Sequence, residues 1–183
     1  MLRATAAPET VIGTARLVMR PTRRADIDDL VDGISDLAVS RMLSRVPYPY
    51  TSRDALAFLN AVAASRGRDL PLAITLDNRV IGGIGLSGLN TEREFGYWLA
   101  RAHWGKGYAT EAGRAFLDHL FDTHDIDVVR SGVFVGNQAS LRVQEKLGFI
   151  EIGRSERHCL ARGETLAHID TVLTRERYET LAV

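Results

Sequence analysis

The spacing of hydrophobic positions changes period several times along this chain, and each change marks an expected element. Residues 15–20 read as a strand closed by Pro21, which has no N–H with which to continue a ladder. Ile27, Leu30, Val31 and Ile34 then recur at helical spacing within residues 25–34, and a second short helix follows over 36–43. Val46-Pro47-Tyr48-Pro49-Tyr50 is irregular, because each proline restrains its predecessor to an extended conformation. Ser52 is the expected cap of a third helix whose apolar positions are Leu56, Phe58, Leu59, Val62 and Ala63, ending near Gly67.

Strand character returns over residues 71–76 and 79–86, joined at Asp77-Asn78, a good hairpin turn, and again over 93–100. Gly83-Ile84-Gly85-Leu86-Ser87-Gly88 fits the dinucleotide pattern GxGxxG. That pattern requires a helix directly after it, and Leu89-Asn90-Thr91-Glu92 is another turn, so a glycine-containing hairpin is expected. Ala109, Ala112, Phe116 and Leu120 form a helical stripe within 107–121, and valines at 128, 129, 133 and 135 mark a strand over 127–135. Asn137 caps the next helix and Gly148 ends it in the left-handed position; residues 149–157 and 164–173 form a closing antiparallel pair around Ala161-Arg162-Gly163. The whole is a mixed α/β domain without repeats or linkers.

The turn Trp104-Gly105-Lys106-Gly107-Tyr108 runs straight into the helix that begins near Gly107. Two glycines let the backbone turn tightly and approach a ligand with no Cβ in the way. The helix N-terminus directs its unpaired N–H groups and positive dipole end at the turn. That is an anion site, worth roughly 0.3–1 kcal/mol per favourable charge, up to ~2 kcal/mol where partly buried. It is not a P-loop, since Gly107 rather than Ser or Thr follows Lys106. A diphosphate of another kind is expected there.

Glu94-Phe95-Gly96-Tyr97-Trp98-Leu99, then 104–112 with Trp104-x-x-Gly107-x-Ala109, then Asn137-x-x-Ser140 leading into Glu145-Lys146-Leu147-Gly148-Phe149, resemble the GNAT superfamily of acetyl-CoA-dependent N-acetyltransferases. Within it the chain is most similar to the RimJ/RimL type, whose named members acetylate N-terminal amines of ribosomal proteins. The resemblance runs from Thr14 to about residue 175, and Trp at the first motif position, where the superfamily has Gln or Arg, is usual in that branch. It implies one GNAT domain over 1–183, with 1–13 as an N-terminal extension. The implied fold is a central, mostly antiparallel sheet flanked by helices, in which the family's fourth and fifth strands splay apart around acetyl-CoA.

On that resemblance, the backbone N–H groups of Leu99 and Arg101 pair with pantetheine. Trp104, Gly105, Lys106, Gly107, Tyr108, Ala109 and Thr110 surround the diphosphate. Asn137 contacts the pantetheine arm, and Ser140 approaches the sulfur as proton donor; both could instead be plain capping residues. Glu94, on the same strand face as Gly96 and Trp98 with Tyr97 opposite, is the best base candidate, the alternative being a solvated strand-end carboxylate. A single carboxylate suits an α-amine, with a pKa of about 7.7–8.0, better than a lysine, whose neutralisation at pKa ~10.4 costs roughly 3–4 kcal/mol. Tyr48, Tyr50 and Trp98 are the expected acceptor contacts; the two tyrosines are amphipathic groups in an irregular segment and could equally be lid packing.

Composition narrows the alternatives. Across 183 residues, 23 Lys plus Arg balance 23 Asp plus Glu, so no broad nucleic-acid surface is expected. Arg41, Arg45, Arg53, Arg66 and Arg68 read as solvated face rather than a polyanion site. The single cysteine, Cys159, allows no internal disulfide and reads as a packed side chain, not an acyl-accepting nucleophile. The five histidines lack metal-ligand spacing, so no metal is expected. No apolar run reaches the ~18 residues a membrane span needs, and residues 1–13 lack a signal-peptide core, so a cytoplasmic protein without membrane partner is expected. A homodimer stays open. The leading expectation is acetyl transfer to a primary amine, with a protein N terminus as one candidate acceptor. The alternatives are a small acceptor (amino acid, polyamine or antibiotic) and a CoA-binding sensor module without catalysis.

Overall fold

The computed structural model describes residues 10–65 and 67–181. Among the described residues eight strands form one sheet in the spatial order β1-β2-β3-β4-β5-β6-β8-β7. They are β1 Ile12–Gly13, β2 Val18–Arg20, β3 Leu70–Leu76, β4 Arg79–Ser87, β5 Glu94–Leu99, β6 Val128–Phe134, β7 Ile150–Cys159 and β8 Glu164–Thr174. The helices are α1 Ile27–Ile34, α2 Leu37–Ser40, α3 Ser52–Ala64, α4 Tyr108–Thr123, α5 Gln138–Lys146 and α6 Arg175–Leu181. Among the described residues no helix is long and apolar enough to cross a membrane.

Most elements stand where the pattern puts them, for local reasons. Asp77 and Asn78 both adopt positive φ, 50° and 64°, which matches the turn to the twist of β3 and β4. Gly148 has φ 96°, and Pro21 follows the last residue of β2. Four expectations need correction. The first strand is two short pieces, because the Thr14 N–H donates to the Leu17 carbonyl at 2.9 Å and turns the chain back on itself. Ile12 and Gly13 therefore belong to the sheet rather than to an extension; residues 1–9 lie outside the described residues. Thr51, not Ser52, caps α3, through a reciprocal bond pair with Asp54. The last is α6, unforeseen, whose Tyr178 is buried and donates to the Asp118 carboxylate at 2.7 Å.

The sheet carries a core on each face. Phe95, Phe116, Phe149, Leu117, Leu120 and Leu173 are buried between the sheet, α4 and α6. On the other face Leu30, Ile34, Tyr50, Ala55, Ala73 and Val80 pack beneath α1 and α3. The glycines of the GxG stretch serve packing here. A Cβ on Gly83 would stand 2.6 Å from the Trp98 ring nitrogen, and one on Gly33 of α1 would stand 2.9 Å from the opposite edge of the ring. The indole of Trp98 lies in a slot that only glycine leaves open.

Asp26, just before α1, is buried and accepts two bonds from Arg20, at 2.8 and 2.9 Å, and one from the Arg23 N–H at 2.7 Å. Burial pushes its carboxyl up. The Arg20 hydrogen bond, the Arg23 N–H and both arginine charges outweigh this and hold it below the ordinary carboxylate range. Its contribution to stability is therefore complete above the unfolded pKa of about 3.9 and is lost as pH falls through the lower folded value. Arg20→Met leaves the carboxylate buried without its partner and is expected to cost about 3 kcal/mol at neutral pH, with a smaller loss at acid pH. Urea denaturation at the two pH values checks this.

Candidate active site

One junction in the sheet is parallel. β5 and β6 pair at a single register position, Glu94 with Arg130, and diverge beyond it. Side chains brace the apex of the V that results. The Ser131 hydroxyl donates to the Phe95 carbonyl at 2.9 Å, the Gln144 amide donates to Ser131 Oγ at 2.9 Å, and the Thr171 hydroxyl donates to Gln144 Oε1 at 2.7 Å. All three side chains are buried, so this network replaces ladder bonds that the divergence removes. The Ala100 N–H donates to Ile81 on the β4 side, so ladder alternation turns the N–H groups of Leu99 and Tyr97 into the V.

At the open end lies a cavity of about 480 Å³ on which the N-termini of α4 and α5 converge. Of the residues expected to hold a cofactor, Leu99, Trp104, Gly105, Gly107, Tyr108, Ala109, Thr110, Asn137 and Ser140 line it, as does Trp98. Gly105 and Gly107 have φ 74° and 82°, and Gly107 is the left-handed N-cap of α4. The Trp104 ring N–H donates to the Leu99 carbonyl at 2.7 Å, fastening the turn to the end of β5. Asn137 accepts from the Ser140 N–H at 3.2 Å, so it caps α5 while facing the cavity.

Other expected site residues are placed elsewhere. Tyr50 is 7% exposed, in the core beneath α1 and α3, where burial, and secondarily the Asp54 charge, push its phenol up to about 12. It is a packing residue, not an acceptor contact. Tyr48 is exposed but does not line the cavity, and neither do Arg101 and Lys106. The Arg101 side chain turns outward toward Asp36, at 3.7 Å. Glu94 sits at the closed end of the V, its two oxygens held by Arg45 at 2.7 Å and Arg157 at 3.3 Å. Arg45 is solvated, as expected, with a side chain 67% exposed, and it also pairs with Glu94, while Arg66 lies outside the described residues. Cys159 is fully buried, its thiol directed at the carbonyls of Arg41 and Leu43, both at 3.5 Å. Among the described residues no group of three His, Cys, Asp or Glu is arranged to hold a metal.

Three features escaped the sequence reading. Tyr97 lines the cavity, and its phenol oxygen lies 2.7 Å from Ser140 Oγ and 3.1 Å from the Ser140 carbonyl, closing the V with a pair of hydroxyls. Burial pushes the phenol up to about 12, with the Ser140 bond acting against it, so the proton stays on at neutral pH. Arg142 and Lys146, one turn apart on α5, add positive charge to the cavity wall. The third is Arg16, on the turn between β1 and β2. It donates to the Lys106 carbonyl at 3.0 Å and to Glu111 at 2.6 Å, and its guanidinium stands 4.5 Å from the centroid of the Tyr108 ring. The glycine turn is thus clamped from beneath. Arg16→Ala is expected to weaken acetyl-CoA binding about tenfold through loss of this brace, as calorimetry of the folded variant would show.

A mostly antiparallel sheet with one splayed parallel junction, and two helix N-termini aimed into the opening, form a cleft suited to an extended anionic ligand. The family model for the Acetyltransferase (GNAT) domain matches residues 16–150, and the chain belongs to that family. It is an N-acetyltransferase-type enzyme. It is 27% identical over 170 residues to the uncharacterized N-acetyltransferase p20 of Bacillus licheniformis, covering 89% of this chain and 96% of that one. Among solved structures, RimJ of Mycobacterium smegmatis, in complex with CoA-disulfide, is similar in fold, with a TM-score of 0.77 at 23% identity over 93% of this chain and 87% of the other. So is spermidine N-acetyltransferase of Vibrio cholerae, in complex with CoA and spermine, with a TM-score of 0.77 at 20% identity over 91% and 99%.

Proposed function

We propose that this protein transfers an acetyl group from acetyl-CoA directly to a primary amine, with a protein N-terminal α-amine as the acceptor best matched to its single candidate base. The observation that carries this is the Tyr97–Ser140 hydroxyl pair at the mouth of the V, set between the free N–H groups of β5 and the glycine turn. The residues fit the coenzyme: a Cβ on Gly105 would meet nothing within 4 Å, and one on Gly107 would meet only Arg16, at 3.5 Å. Gly105, Gly107 and the first turn of α4, including Thr110, would hold the diphosphate, with Lys146 and Arg142 on the opposite wall. Asn137 and the N–H groups of Leu99 and Tyr97 would hold the pantetheine arm.

Bound acetyl-CoA supplies an activated acyl carbonyl and a thiolate leaving group. The chain's own residues supply the rest. The β5 N–H groups orient the thioester and stabilise negative charge on its oxygen. Glu94 takes the proton of the incoming amine, directly or through a water, from the face of β5 where Gly96 leaves an opening: a Cβ there would meet nothing within 4 Å. The Tyr97–Ser140 pair delivers a proton to the departing thiolate. Cys159, buried against backbone carbonyls, takes no acetyl group, so transfer has no covalent enzyme intermediate. Supplying acetyl-CoA with a panel of peptides and small amines, and following CoA thiol release, tests the reading. Amine-dependent release above hydrolysis is expected, and release that no primary amine stimulates would refute it.

A further inference from the structure

The candidate base is not presented to solvent as a bare carboxylate. Arg45 donates to Glu94 Oε2 and Arg157 to Glu94 Oε1, so each oxygen already accepts from a guanidinium. The cations form the outer layer: the side chains of Arg45 and Arg157 are 67% and 43% exposed, whereas that of Glu94 is 36% exposed. Asp170, the other acid of the cluster, is 25% exposed and turned inward; it accepts from the Ser155 hydroxyl at 2.9 Å and pairs with His168 at 2.8 Å, with Arg157 a further contact at 4.0 Å. A ligand arriving here meets guanidinium first and carboxylate second.

The segment that brings Arg45 to this point also borders the cavity. Leu43 lines the cavity wall, and the Ser44 carbonyl accepts from the Leu160 N–H at 3.1 Å, which pins the segment to the end of β7. Arg45 follows at once. Arg157 reaches Glu94 from β7 itself. The two arginines therefore flank Glu94 from two separate elements, with the opening over Gly96 beside them.

This arrangement is unfavourable for a polycation. An ammonium approaching Glu94 meets two like charges, and no unpaired outward acid is present among these residues to receive a second ammonium. A carboxylate close to the amine removes the conflict. It can accept from Arg45 or Arg157 in place of Glu94, and the Glu94 oxygen thereby released can accept from the ammonium. The exchange conserves charge and hydrogen bonds, and it makes the base available only when a matching acceptor is present.

Building on the proposed acetyl transfer, we infer that the acceptor is an amine with a carboxylate beside it, recognised by Arg45 and Arg157. Two sources share that chemistry: the α-carboxylate of a free amino acid and an acidic side chain at the start of a peptide. The test measures kcat/KM at saturating acetyl-CoA, corrected for the neutral-amine fraction, for glycine against glycinamide, for Asp-Ala-Ala-amide against Asn-Ala-Ala-amide, and for spermidine. In at least one pair the carboxylate member is expected to lead by about tenfold or more, and the pair that responds identifies the source. Arg45→Gln and Arg157→Gln are expected to raise KM for that acceptor about tenfold while KM for acetyl-CoA holds, and to bring the two members of the responding pair close to equal, a split that general loss of structure would not give. Equal kcat/KM within both pairs, or preference for spermidine, overturns the inference and leaves acetyl transfer to amines standing. Failure of all five amines to accept acetyl overturns both.

Discussion

Tyr97→Phe and Ser140→Ala are each expected to lower kcat by about 10²–10⁴-fold while changing acetyl-CoA affinity little. The reason lies in what each hydroxyl does before and during reaction. In the resting site the phenol and the serine hydroxyl satisfy one another at 2.7 Å, and burial keeps the phenolic proton in place at neutral pH. Neither needs to bind the cofactor's ground state. A proton on the departing sulfur matters in the transition state, and general-acid help is typically worth that factor of 10²–10⁴. Because the two hydroxyls form one donor unit, their effects should not add: the double variant is expected to fall little below the worse single one. Steady-state kinetics of the four proteins decides it. Wild-type kcat in both single variants would remove the pair from the mechanism.

Gly107→Glu is expected to reduce acetyl-CoA affinity by about three orders of magnitude. At this position φ is 82°, so any side chain carries a backbone cost of about 1–2 kcal/mol. That cost is shared by the free and bound protein and largely cancels in Kd. The added charge does not cancel. A carboxylate about 4 Å from one phosphate charge is repelled by about 4 kcal/mol at an effective dielectric of 20, which corresponds to nearly a thousandfold. Gly107→Asn separates the terms, since asparagine tolerates the left-handed region and brings no charge. It should fold similarly and bind with a much smaller loss. Calorimetry on both variants, with thermal melts to establish folding, makes the comparison; unchanged affinity in folded Gly107→Glu would displace the diphosphate from this turn.

Glu94 stands on different ground. Its position on the Gly96 and Trp98 face follows from strand alternation, and the β5 register agrees, with Trp98 in the glycine slot and Phe95 and Tyr97 turned to the other core. What alternation does not convey is company. Arg45 and Arg157 lie far from it in the chain and meet it only after β7 has closed the sheet edge and the segment after α2 has been pinned to its end.

What is legible locally and what waits on folding divides by the range of the interactions. Turn chemistry at Asp77-Asn78, the left-handed Gly107 and Gly148, and the Asn137 cap depend on neighbours a few residues away, so their residue types are legible directly. The same holds for the apolar stripe of α4 and the order of the motif blocks, which carried the family and the glycine turn. The burial of Tyr50 has no local signal in a tyrosine that directly follows a proline; it enters the core only once α1 and α3 cover that face of the sheet. Tyr97 and Ser140 come together because β5 and β6 part after one register pair while Gln144 anchors α5 to Ser131 and Gly132 of β6. Arg16 reaches Glu111 and Lys106 because the Thr14–Leu17 turn folds the start of the chain under α4. Each of these contacts joins residues distant in the chain, and only packing of the whole sheet sets the distance between them.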